Sequence, residues 1–444
     1  MSEPTRSRHP AWWVPSSYFA MGVPFAMVVW VAGTLFKDLG HTDSEITLAT
    51  GSIVIMWSLK PLYAGFLDMF RTKKFWVVSM EFLIAILLGL VALALPLPNY
   101  FQVIIAILWV SAFASATQDI CADGVYITSL DEKTQAGWIG LQGAAWIAGR
   151  IFATALVVLV AGVLKTEAGL NAKAAWAFAL GISVATMAGL GVYHSFVLPT
   201  GSVPHRPHDA REVMTTFVDQ WIDFFRKPKI WMMFLFVFLY RSGEGFLLIE
   251  APLFMQAKVS EGGLGLSLEQ KGLIDGLIST IVSVAAGVAG GAFIAKFGLK
   301  RSLVFMALCM NIPHLCYIFL SQAVAPGSPL SMTTISFLVS IEKFGYSFGM
   351  VANMLYMMQQ ISPGKYHMTH YAFCTALMNL VLVPTQMASG PLADWMGYRN
   401  FFIFVLIASI PSVIAAWFAP FPNPSDGGPA ARAGKSAEPA RADA

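Results

Sequence analysis

Charge is scarce in this 444-residue chain: Asp, Glu, Lys and Arg make up 12% of it, against 57% hydrophobic residues. Soluble proteins carry roughly 25% charged residues. With a mean hydropathy of +0.65, the chain reads as an integral membrane protein. Cysteine is nearly absent. Cys121, Cys309, Cys316 and Cys374 all lie within apolar runs, and none has the spacing of a metal site, so buried or lipid-facing thiols are expected. Also missing is a His/Asp/Ser or Cys/His grouping on one membrane face, which a membrane-embedded acyl or glycosyl transferase needs; the chain is not expected to be an enzyme. Neither the linker nor the tail is long enough for a folded output domain, which argues against a sensor. A cleavable-signal pattern is lacking too, since Met1 to Pro10 is polar and Trp12 starts a full-length span. The net charge of +3 says little about partners, because the basic residues are unevenly placed; no nucleic-acid partner is expected.

What is present is a succession of long apolar runs. A spanning helix needs about 20 largely apolar residues. Twelve stretches qualify: 14–36, 45–67, 75–96, 101–127, 136–163, 174–198, 230–256, 270–295, 302–322, 331–358, 367–393 and 400–420. The predicted fold is all-α, with twelve transmembrane helices in two six-helix bundles. The expected layout is a cytoplasmic tail (1–13), a first bundle (14–198), a cytoplasmic linker (199–229), a second bundle (230–420) and a disordered cytoplasmic tail (421–444) rich in Ala, Pro and Gly. Within the linker, Val213, Phe217, Trp221 and Phe224 fall at helical spacing with Arg211, Asp219 and Asp223 among them. That pattern predicts an amphipathic helix on the membrane surface. Lys and Arg gather in the loops of one side, including Arg71, Lys73, Lys74, Arg226, Lys300 and Arg301, and the positive-inside rule places both termini in the cytoplasm.

The few charges inside the spans mark candidate functional positions. Asp119 and Asp123 are four apart near the inner end of span four, so they share one helix face. Like-charge repulsion and partial burial raise the proton affinity of one of them; they either carry a coupling proton or cap an inner gate. At about 1.5 Å per residue, Arg150 lies roughly 20 Å deep, Arg241 and Glu244 roughly 16–21 Å, and Glu342 and Lys343 roughly 17 Å, near the middle of a hydrocarbon core about 30 Å thick. Arg241 and Glu244 either neutralise each other as an i,i+3 pair or face a ligand, Arg being suited to bidentate contact with a carboxylate or phosphate. Arg150 has no oppositely charged neighbour on its own helix, so its partner is on another helix or in the substrate. Glu250 belongs either to a polar path toward the outside or to a structural pair. Glu81, Asp275 and Asp394 lie nearer helix ends, where snorkelling or capping is expected. Lys60 either does likewise or pairs with an acid across helices. Tyr18, Trp30, Trp57, Gln118, Gln142, Trp146, Tyr240, Tyr346, Asn353, Tyr356, Asn379 and Gln386 add aromatic and amide groups within spans. His367 and His370 open span eleven, where a solvated helix end is expected.

A weak repeat supports two halves. Phe70 before Lys73-Lys74 and Phe297 before Lys300-Arg301 follow the second and eighth spans in the same way. Two six-helix halves with a cytoplasmic linker are the layout of the major facilitator superfamily. Its loop motif is partly present: Asp68 and the basic pair match, but Ala64 stands where Gly is expected. Within that superfamily the chain resembles the AmpG-like muropeptide permease family. The residues that carry the likeness are Lys60-Pro61-Leu62-Tyr63-Ala64-Gly65-Phe66-Leu67-Asp68, the Ser115 to Asp123 stretch with Gln118-Asp119, Gly149-Arg150, Tyr240-Arg241-Ser242-Gly243-Glu244, and Phe337 to Gly349 with Glu342. The resemblance implies a proton-driven symporter of the bacterial inner membrane that imports anhydromuropeptides or an N-acetylglucosaminyl-anhydromuramic sugar. It implies no cofactor besides the proton gradient, and a monomer is the default for this layout. A siderophore or another oligosaccharide is the alternative cargo. The candidate substrate residues are Arg150, Arg241, Glu342, Lys343, Trp146, Gln142 and Tyr240. Asp119, Asp123, Glu244 and Glu250 are the candidates for proton coupling, and Lys60 and Asp68 for gating; no metal ligands are expected.

Overall fold

The computed structural model describes residues 9–130, 132–201, 209–324, 330–364 and 366–423. Most of the tail expected after Pro420 lies outside these residues, as do the first eight residues, Arg206 and Lys365. Every regular element among the described residues is helical. Nine helical stretches there are long and apolar enough to cross a membrane. They are Pro10–Asp38, Lys73–Ala94, Tyr100–Ser129, Leu141–Thr166, Ala172–Val197, Ile230–Gln256, Leu268–Phe297, Leu299–Ala323 and Thr369–Phe418. The last contains two predicted spans, the eleventh and twelfth, divided at Gly397, whose φ of 74° is a left-handed conformation that favours glycine. The second and tenth predicted spans are helical, at 43–70 and 332–361, but fall outside that set. The second is broken into short helices, Asp43–Gly51, Ile55–Ser58 and Lys60–Phe70, and the tenth carries Glu342 and Lys343 at mid-length.

Apolar burial follows the two sides of the linker. Two clusters draw mainly on residues before it, around Trp13, Tyr126, Leu88 and Trp176. Two others draw on residues after it, around Phe236, Tyr356, Phe254 and Phe402. Ile249, Leu253 and Leu268 from the second side join a cluster of the first. The hydrogen bonds that cross between the two sides, among the described residues, all fall at the end opposite the linker, called the far end below. There Gln256 Nε2 donates to the Thr34 carbonyl (3.1 Å), Lys271 Nζ to Thr34 Oγ1 (2.7 Å), Thr166 Oγ1 to Glu269 (3.1 Å) and the Gly390 amide to Thr47 Oγ1 (3.1 Å). Asp394, expected to cap or snorkel at its own helix end, instead receives the Ser44 amide and hydroxyl and so caps the opening turn of span two.

Three expectations need correction. Glu81 does not snorkel. It is fully buried, 2.7 Å from His194 Nδ1, and accepts from Gln118 Nε2 at 3.1 Å, so spans three, four and six share one polar contact inside an apolar bundle. The linker helix Ala210–Phe225 forms as predicted, capped by Asp209, yet its aromatic face packs on protein. Trp221 stacks on Phe373 with ring centroids 4.3 Å apart, and Phe224 lies against His370. His370 is accordingly buried, with Nε2 3.1 Å from the Gln220 carbonyl, and does not open a solvated helix end. In the same linker Lys227 donates to the carbonyls of Ile361 and Pro363 (2.6 and 2.7 Å), and its partial burial pushes the ammonium below the usual lysine range.

Candidate functional site

A cavity of about 280 Å³ lies between the two sides at mid-depth, just under the roughly 300–1,000 Å³ of small-ligand pockets. The cavity takes its geometry from a tight helix crossing. A side chain on Gly22 would meet the Trp146 carbonyl at 2.2 Å, and one on Gly149 the Phe19 carbonyl at 2.3 Å. Only the absence of a Cβ lets spans one and five approach this closely, and the contact sets Trp146 and Arg150 at the cavity. Three wide helical turns of the π type surround it, Met27–Val31, Phe152–Val157 and Gly272–Ile278. They bring Trp30, Thr154 and Asp275 to the wall. Such turns are frequent at functional sites because they redirect side chains without ending the helix. Span seven is interrupted at Arg241, between helices Ile230–Tyr240 and Ser242–Gln256; broken helices commonly form the midplane sites of transporters.

One side of the wall is aromatic. Phe25 touches Trp57, Trp30 and Trp146 with ring centroids 4.8, 5.3 and 5.6 Å away. The other component is cationic. Arg150, Arg241 and Lys343 line the cavity with a single carboxylate, Asp275. The acidic partners of two of them do not line it: Glu244 holds Arg241 through Nε (2.5 Å) and Nη2 (2.7 Å), and Glu342 sits 3.2 Å from Lys343. Arg241 Nη1 also donates to Asn379 at 3.2 Å. Arg150 differs from both. Its guanidinium lies 4.7 Å from the Trp30 ring centre, a cation–π arrangement, and its Nε has no hydrogen-bond partner among the described residues. Trp57 Nε1 and both polar atoms of the Gln386 side chain are likewise unpartnered. Buried polar groups are normally satisfied, so these three side chains are donors and acceptors that water or a ligand in the cavity can meet. Removing Glu244 as Glu244→Ala leaves Arg241 buried without its counter-charge, a loss of about 3–5 kcal/mol, and the thermal midpoint of the purified protein is expected to fall accordingly.

The predicted substrate residues divide on inspection. Arg150, Arg241, Lys343 and Trp146 reach the cavity. Glu342 stands behind Lys343, near the Tyr317 hydroxyl. Tyr240 does not line it: the side chain is fully buried and its hydroxyl donates to the Gly349 carbonyl at 2.9 Å. Gln142 lies two helical turns from Arg150 on span five and is not part of the wall either. Asp275, expected at a helix end, faces the cavity instead. The flanking Gly272 and Gly276 were the available sign that span eight packs closely there, but nothing local marks the π turn. Trp30, Trp57, Tyr346, Asn379 and Gln386 are in the wall; Phe25 and Thr154 join them without having been singled out.

The carboxylates of span four form a separate group. Asp119 is ion-paired with Lys60. One turn on, Asp123 accepts from the Tyr18 hydroxyl at 2.7 Å and has no ion pair of its own among the described residues. The side chain of Asp68 lies outside the described set. Glu250 is fully buried near the far end.

Residues 16–369 match the sequence model of the Major Facilitator Superfamily. The chain belongs to the Major Facilitator Superfamily. Among curated proteins it is similar to a putative transporter, AmpG 4, of Rickettsia felis, at 23% identity over 89% of this chain and 94% of that one. It is also similar to the anhydromuropeptide permease of Escherichia coli K12, at 20% identity over 89% of this chain and 77% of that one. Among solved structures, a bacterial homologue of the human lysosomal transporter Spinster, in an inward-facing and unoccupied conformation, superposes with a TM-score of 0.70 at 14% identity, covering 93% of this chain and 98% of that one. The facilitator is thus an AmpG-like, multi-pass membrane transporter with a small-molecule substrate.

Proposed function

We propose that this facilitator is a proton-coupled symporter that imports anhydromuropeptides, or the bare N-acetylglucosaminyl-anhydromuramic sugar, across the bacterial inner membrane. It works as a monomer, with two six-helix halves (14–198 and 230–420) rocking around the midplane cavity. The linker end faces the cytoplasm, where Lys and Arg concentrate. The observation that carries the reading is Arg150, a guanidinium laid on Trp30 in the cavity wall with no ion pair and no partner at Nε among the described residues, Asp275 standing only within electrostatic reach. It suits a carboxylate, and the Phe25 and tryptophan rings beside it suit the faces of sugars. Gln386, with an amide free to donate and accept, matches acetamido groups. The names of the curated relatives, a putative AmpG transporter and an anhydromuropeptide permease, support the same cargo. No cofactor is required besides the proton gradient.

Asp123 carries the coupling proton in this reading. Lys60 is ion-paired with Asp119 and lies only within electrostatic reach of Asp123, which accepts from the Tyr18 hydroxyl and has no ion pair among the described residues, so Asp123 is the member of the pair whose protonation breaks no ion pair. Lys60 and Asp68 belong to the gate at the linker end.

Ligand-induced thermal stabilisation tests the cargo. The panel holds anhydromuropeptides, the bare anhydro-disaccharide, plain oligosaccharides and ferri-siderophores. A true ligand at about 100 times its Kd stabilises by about 2.7 kcal/mol. Stabilisation by the anhydro-sugars is the expected result. A shift produced only by siderophores or plain oligosaccharides overturns the proposed cargo and replaces it with the compound that binds.

A further inference from the structure

At the far end a buried carboxylate stands without a donor. Glu250 on span seven is fully buried, and neither of its oxygens has a hydrogen-bond partner among the described residues. The groups facing it are the Asp43 carboxylate, Lys37 and Ser389, with Tyr398 also within electrostatic reach. Asp43 opens span two from the other half of the molecule and is only 2% exposed. Its oxygens are already engaged, one by Lys37 Nζ at 2.6 Å and the other by the Tyr398 hydroxyl. Ser389 gives its own proton to the Gln386 carbonyl (2.8 Å). Lys271, the next cation, lies within electrostatic reach of Asp43 as well as of Asp275 and Asp38, but its hydrogen bonds go to Thr34 and Gln256; Asp394 is held by Ser44. One ammonium, Lys37, thus lies beside two adjoining carboxyl groups, of which Glu250 is fully buried and Asp43 borders the vestibule. Two such groups do not both ionise at close quarters, and an ionised Glu250 would be a buried charge with nothing to receive.

We propose that Glu250 and Asp43 share a proton that latches the far end of the transporter shut. Glu250 in its acid form donates that proton as a hydrogen bond to ionised Asp43, tying span seven of one half to span two of the other, where Tyr398 and Lys37 hold Asp43 in place. Loss of the proton sets two negative charges against each other across the same contact, and the end opens. The proton comes from and returns to water in a polar vestibule of about 530 Å³ that Asp43, Lys37 and Tyr398 help to line. Protonation from the periplasm thereby favours the inward-open arrangement, which gives the gradient a second point of action besides Asp123. The latch rests on the alternating-access reading above but not on the identity of the cargo.

The test is a distance across the far end in the full-length protein in nanodiscs, without substrate. Spin labels replace the exposed Glu167 and Lys258, one on each half, in a chain whose four native cysteines are alanine. Between pH 5 and pH 9 the population is expected to move from a short to a longer label separation. Glu250→Gln, an isostere that keeps a donor toward Asp43 at every pH, is expected to hold the short distance throughout. Asp394→Asn, which alters a neighbouring far-end contact outside the latch, is expected to keep the pH response. Wild-type distances indifferent to pH, or a pH response that survives Glu250→Gln, overturn the latch. Because the readout needs no substrate, either result leaves the cargo assignment standing, and a failure of the anhydro-sugars to bind leaves the latch standing.

Discussion

Arg150→Ala is expected to weaken binding of the anhydromuropeptide by about 2–5 kcal/mol, roughly 30- to 4,000-fold in Kd, the range found when one member of a buried, hydrogen-bonded charge pair is truncated. The loss is large because, among the described residues, Arg150 alone of the cavity cations has no ion pair, Asp275 being only within electrostatic reach. Arg241 keeps Glu244, and Lys343 keeps Glu342, whatever occupies the cavity. A ligand carboxylate therefore gains most at Arg150, and its removal strands that carboxylate against Phe25 and the tryptophans. Arg150→Lys separates charge from geometry. The ammonium keeps the charge but loses the planar fork and the stacking on Trp30, so an intermediate loss is expected. Titration calorimetry on both variants checks this, and a wild-type Kd in Arg150→Ala removes the residue from the substrate site.

Asp123→Asn is expected to abolish accumulation of substrate against its gradient while counterflow exchange continues. The asparagine resembles the protonated carboxyl and still accepts from Tyr18, so the helix contact survives and the two halves still rock. What disappears is the cycle of proton uptake and release. Asp119→Asn differs in kind: it strips Lys60 of its counter-ion and is expected to lower the thermal midpoint, an effect Asp123→Asn avoids. Uphill accumulation that persists in Asp123→Asn assigns the coupling proton elsewhere.

Much of the architecture could be read in the chain because bilayer physics leaves a strong mark. Hydropathy sets the spans, and simple rise arithmetic put Arg150, Arg241 and Lys343 at the depth where the cavity is found. A place within span seven, next to Arg241, was not enough to put Tyr240 in the cavity wall. Depth does not fix direction around a helix, and the ring points into the protein toward Gly349. Asp275 was misjudged for a related reason, since the π turn at Gly272–Ile278 reorients it toward the cavity in a way no local propensity announces. Glu81 and His194 are 113 residues apart, and their contact depends on how spans three and six pack, which a single sequence does not state. The nearness of Glu250 to Asp43 belongs to the same class. Glu250 stands out in the sequence as a charge within span seven, but nothing there pairs it with Asp43 at the start of span two, and the contact arises only when the two halves close at the far end.

Uptake into proteoliposomes is the most direct test of the central claim. Purified protein is reconstituted, a pH gradient is imposed with the outside acidic, and labelled N-acetylglucosaminyl-anhydromuramic sugar is followed into the lumen. Accumulation above the external concentration that collapses on adding a protonophore is the predicted result. Absence of uptake, or uptake that stops at equilibrium and ignores the protonophore, contradicts proton-driven import of this sugar.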